Sequence, residues 1–146
     1  MAPTTHLPFA NTLEKTHAWI AELQDILGSE DPHQAYMTLR ATLHALRDRL
    51  SPEETADLAA QLPMLVRGFF YEGWRPAHKP LRYRHRGEFL QRVMKEAPWL
   101  TEEQAESAVT AVFEVLSSQL GRDGEIQQVR SSLPAELREL WPLPGM

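Results

Sequence analysis

DPHQAYMTLRATLHALRDRL, residues 31–50, is the stretch on which the fold turns. It opens with Asp31-Pro32, which reads as a helix start. The carboxylate accepts from the free N–H groups of a first turn, and proline tolerates the first helical position. Leu39, Leu43, Leu46 and Leu50 then follow at steps of four, three and four, which lines one face of a helix. Residues 101–120, TEEQAESAVTAVFEVLSSQL, carry the same pattern 70 positions later, with Val109, Phe113, Leu116 and Leu120 at the same steps. There Thr101 and Gln104 are spaced for a capping box, each side chain meeting the other's backbone N–H. Ser51-Pro52-Glu53-Glu54 spells another start, and Pro63 and Pro134 mark two more.

The shift of 70 extends outward in both directions. Trp19-Ile20 falls on Phe89-Leu90, Leu23 on Val93, Gln34-Ala35 on Gln104-Ala105, and Ala41, Leu46 and Leu50 on Ala111, Leu116 and Leu120. Past an inserted residue near Gly124 the shift becomes 71, so that Leu62-Pro63 meets Leu133-Pro134 and Arg67 meets Arg138. Val66, Phe69 and Phe70 then meet Leu137, Leu140 and Trp141. Agreement in caps, apolar phase and Leu-Pro punctuation together implies an internal repeat. The expected fold class is all-α: a compact helical bundle, one domain over 1–146, made of two tandem, similar multi-helix units at about 11–74 and 86–142. A basic, proline-rich connector, 75–86, joins them. Helices are expected near 11–27, 32–50, 52–61, 63–73, 87–96, 101–120, 124–132 and 134–141, with loose ends up to Pro8 and from Pro142 onward. Short loops and single apolar stripes leave helix on helix as the stable packing. The one alternating run, Leu81 to Arg86, is too charged for a core strand.

Composition narrows the chemistry. The chain of 146 residues has no cysteine, so disulfides, thiolate metal sites and cysteine nucleophiles are excluded. Met1 to Pro8 has neither the positive start nor the apolar run of a secretory signal, and no window approaches a membrane span, so a cytoplasmic protein is expected. Net charge is −5, but residues 75–86 hold five basic side chains and no acidic one, leaving −10 on the remainder (−5 minus +5). The six histidines include no pair at the i, i+4 spacing of a helical zinc site. There is no Gly-rich phosphate loop and no nucleophile elbow. Neither a metal nor a cofactor is expected, and no catalytic residue is assigned.

Several segments carry a resemblance. They are Leu58 to Pro63, Phe69-Phe70-Tyr71-Glu72-Gly73-Trp74, Pro76, Lys79-Pro80, Glu88-Phe89-Leu90, Leu133 to Leu137, and Leu140-Trp141-Pro142. With these the chain resembles, over about residues 10–142, a bacterial family of uncharacterised helical proteins known as domain of unknown function 2267. The resemblance implies a bacterial helical protein and brings no reaction, cofactor or site residues with it.

Two segments are candidate sites. In an extended connector Arg82, Arg84 and Arg86 would form one cationic row with Leu81, Tyr83 and His85 opposite, and Arg75 and Lys79 add to the charge. Guanidinium forks suit phosphate or carboxylate, and Tyr83 could stack on a ring. The plainer alternative is that these cations pair with the chain's own carboxylates. Tyr71, Glu72 and Trp74 are the candidate partner anchor, against the reading that Gly73 ends a helix in a left-handed conformation and Trp74 folds back. Glu72 is expected to pair with Arg75 or Arg82, and Asp48 to lie on a solvated face between Arg47 and Arg49. The first functional reading is a non-catalytic interaction or accessory module binding protein, another or itself, with a homodimer among the options and no membrane role. The second is anionic-ligand or nucleic-acid binding through the connector, which the acidic remainder opposes. The third is an enzyme built on Glu72 with His78 or His85.

Overall fold

The computed structural model describes residues 9–121 and 124–142. Eight helices are found among them: α1 Phe9–Leu27, α2 Pro32–Arg49, α3 Pro52–Ala59, α4 Met64–Tyr71, α5 Arg86–Glu96, α6 Glu102–Leu120, α7 Glu125–Ser131 and α8 Ala135–Arg138. No strand occurs among the described residues. The all-helical class and the order of the elements match the expectation. The last helix is shorter than expected because Leu140 N and Trp141 N bond to Leu137 O and Arg138 O, turns of three rather than four residues. The expected loose ends, 1–8 and 143–146, lie outside the described residues, while Pro142 is exposed.

The starts form as the residue chemistry asks. Asp31 Oδ1 accepts from His33 N at 3.0 Å, and Ser51 with Glu54 and Thr101 with Gln104 each close a capping box. Pro63 and Pro134 stand as the N-cap residues of α4 and α8.

α2 and α6 form the middle of the bundle and pack on each other. α1 lies against α2 and α6, and α5 lies against the same two; α4 packs on α1 and α2, α8 on α5, and α3 meets α7. One continuous core results, and Leu39, Leu43, Leu46 and Leu50 from the deciding stretch are all fully buried in it. Burying one such leucine is worth roughly 1.5–3 kcal/mol, so these four are a large share of what holds α2 in place. Phe113 of α6 stacks on Trp141 at 4.3 Å between centroids, and the Trp141 indole N–H donates to Ser117 Oγ at 2.8 Å. Both contacts fix the chain after α8 against α6. No helix among the described residues is long and apolar enough to cross a membrane.

Candidate functional site

Because helices cover it on several sides, α2 buries polar as well as apolar side chains. Arg40, His44 and Arg47 follow steps of four and three, one position after each of three leucines of the apolar ladder. They reach α4 and α5. Arg40 Nε donates to Glu72 Oε1 at 3.0 Å, its Nη2 meets the same oxygen, and its Nη1 reaches Glu96 Oε1 at 3.3 Å. His44, 5% exposed, places Nδ1 2.9 Å from Glu96 Oε2 and Nε2 2.6 Å from the carbonyl oxygen of Phe69. A carbonyl only accepts, so Nε2 supplies the hydrogen of that bond. Arg47, also 5% exposed, donates from Nη1 to Phe70 O at 2.7 Å and Glu72 O at 2.6 Å, and from Nε to Asp48 Oδ1 at 3.1 Å. The last carbonyls of α4 are therefore capped by two side chains of α2, where cationic donors are also favoured by the helix dipole.

A His beside a Glu suggests acid–base chemistry, but a general base needs a ring nitrogen open to a substrate. Both nitrogens of His44 are committed inside the bundle. Glu96 follows the same logic: burial would raise its pKa, yet the hydrogen bond and charge of His44, with Arg40 and Arg47, bring it below the ordinary carboxylate range. The group braces α2, α4 and α5.

The sequence-based expectations for two acids are corrected here. Glu72 is claimed by Arg40, 32 residues away, rather than by Arg75 or Arg82. The cause is the turn after α4: Glu72 (φ −56, ψ 122) and Gly73 (φ +77) form a type II turn closed by Trp74 N donating to Tyr71 O at 2.9 Å. That turn needs glycine at its third position and directs Glu72 back toward α2. Asp48 is largely covered, bonded to Arg47 and 3.6 Å from Arg92, where a solvated face was expected. Tyr71 and Trp74, the other candidate anchors, form a tilted ring pair with centroids 5.4 Å apart, Tyr71 lying against the core.

The connector is pinned at its second half. Leu81 N donates to Asp48 O at 2.9 Å, and Arg49 Nε donates to Tyr83 O at 2.9 Å. Burial alternates accordingly: Leu81 and Tyr83 are half-buried, Arg82 and Arg84 exposed. The Tyr83 ring turns inward, 5.8 Å from the Arg49 guanidinium carbon, and burial drives its hydroxyl well above the ordinary phenol range. Arg86 departs from the expected row. It opens α5, its N–H donates to Glu136 Oε1, and its guanidinium meets Glu139 at 3.1 Å and Glu106 at 3.5 Å. His85 is exposed and also bonds Glu136, whose hydrogen bond and charge raise the histidine pKa.

Arg75, Arg82, Arg84 and Lys79 have no side-chain hydrogen bond or ion pair among the described residues. Every other described arginine has one: Arg40, Arg47, Arg49, Arg67, Arg86, Arg92, Arg130 and Arg138. Among the described residues no three histidine or acidic side chains gather as metal ligands, and the Glu14/His17 and Glu30/His33 pairs, each three apart, gain no third member. An open groove of about 420 Å³ between α2, α6 and Trp99 is lined by none of the connector residues.

Fold and site together define an all-helical protein whose buried charges brace its helices and whose unpaired arginines, among the described residues, all lie on one connector. The family described as "Uncharacterized conserved protein (DUF2267)" matches residues 16–140. The chain belongs to that family, for which no function is established. No curated protein matches it.

Proposed function

We propose that the chain is a non-catalytic interaction module that docks an acidic segment of a partner protein on connector 75–86. The observation that carries this is the division of the arginines among the described residues: eight are used by the fold, and the three that are not all lie between residues 75 and 84. The chain carries a surplus of acids, so unpaired guanidiniums held on a pinned segment point to use outside the molecule. An acidic polypeptide is favoured over nucleic acid because the five basic side chains of residues 75–86 would release few counterions from a duplex, which leaves little of the affinity that nucleic-acid binding rests on. The non-catalytic part of the reading rests on the closed bonding of His44. A bacterial, cytoplasmic setting belongs to the same proposal.

The test is fluorescence anisotropy of a labelled glutamate-rich peptide. Binding should weaken with salt, and Arg75→Ala/Arg82→Ala/Arg84→Ala should lower affinity about tenfold, three exposed pairs at roughly 0.5 kcal/mol each. Equal affinity of wild type and variant rejects the reading.

Duplication of a four-helix unit, 11–74 and 86–142, belongs to the same proposal. It is supported by the way contacts pair off: α1 on α6 corresponds to α5 on α2, and α1 with α4 to α5 with α8. Bonds pair off too. Arg67 N and Arg138 N bond to Pro63 O and Pro134 O, and the two guanidiniums donate to Leu62 O and Leu133 O.

A further inference from the structure

We infer that Arg49, Arg82 and Arg84 together form a site for a phosphoryl group carrying two negative charges. The inference rests on the connector being the docking face and names what that face reads. Arg49, at the end of α2, grips the carbonyl of Tyr83 and so brings its own guanidinium to the segment whose two neighbouring residues are Arg82 and Arg84. In an extended segment residues two apart stand about 6.5 Å from each other on one side of the chain, a spacing two guanidiniums can close around one anion. Both are exposed and unpaired.

Arg82 and Arg84 lie close enough to Arg49 for their charges to act on it. Burial lowers the pKa of Arg49 most, and Arg84 and Arg82 lower it further, against Tyr83 and Glu54, which raise it. Glu54 makes no ion pair with Arg49, and its Oε1 accepts from Ser51 N in the capping box of α3. Like charges gathered with no carboxylate bridging them favour an anion from outside. A single carboxylate leaves most of that charge unbalanced, whereas a phosphoryl group offers about two charges and three strong acceptor oxygens, which guanidinium forks meet two at a time. The chemistry is the same for free phosphate and for a phosphorylated side chain of a partner.

Isothermal titration separates the sources. The probes are inorganic phosphate and one neutral peptide in three forms, with phosphoserine, serine or glutamate at its centre. The phosphoserine form should bind at least about tenfold tighter than the glutamate form, and Arg82→Lys/Arg84→Lys, which keeps the charge but loses the forks, should erase that preference. Inorganic phosphate binding as tightly as the phosphopeptide would support the site and assign it to the free anion. Equal affinity for the phosphoserine and glutamate forms overturns the inference while leaving acidic docking intact. So does a lysine variant that keeps the preference. No binding of either peptide, with the glutamate-rich peptide also failing, overturns both.

Discussion

Arg47 shows how one side chain can decide the position of a helix. Its guanidinium satisfies Phe70 O and Glu72 O while lying almost wholly inside the protein. Arg47→Ala should therefore cost about 2–4 kcal/mol in urea denaturation, the price of buried carbonyls left without donors, and Arg47→Lys should restore only part of it. Glu96 gives the matching pH dependence. A carboxylate whose pKa is lowered by folding stabilises the native state above its unfolded value, and that contribution disappears as pH falls through the lower folded value. Stability measured from pH 6 down to pH 3, about the carboxylate range, should fall less steeply in Glu96→Gln than in wild type. Equal slopes would mean that Glu96 does not titrate differently in the two states. Little of this group is legible in the sequence. The spacing of Arg40, His44 and Arg47 is visible, but a polar stripe at helical steps reads as solvated until something is known to cover it. Glu96 is 52 residues from His44 in the chain.

At the scale of the element, the sequence is far more informative, because caps and apolar steps act locally. Asp31, Ser51 and Thr101 each start the helix their side chains are built to start, and the three ladder leucines of α2, with Leu50 at its C-cap, are all buried in the core. What local chemistry does not give is direction after a helix ends. Gly73 is readable as a left-handed residue, yet the consequence of its turn, Glu72 swinging to Arg40, depends on where α2 lies. Doubling makes a prediction at this scale. Arg67 and Arg138 hold equivalent carbonyls, so Arg67→Ala and Arg138→Ala should destabilise similarly, by about 1 kcal/mol each in thermal or urea unfolding. A cost confined to one of them would remove a support of the duplication.

Over the whole molecule, charge is divided by role. Arginines in the bundle end on carbonyls and carboxylates, and the connector keeps three that end on nothing within the described residues. The sequence exposes the segregation of charge but not this division, because Arg86 is chemically the same as Arg84 and differs only in having Glu106 and Glu139 within reach. Everything proposed for function depends on those three being dispensable to folding. The most direct measurement is the unfolding free energy of Arg75→Ala/Arg82→Ala/Arg84→Ala against wild type in urea. The account predicts a difference within about 0.5 kcal/mol, as for surface groups without structural partners. A loss of about 2 kcal/mol or more would place these arginines among the braces of the fold and contradict it.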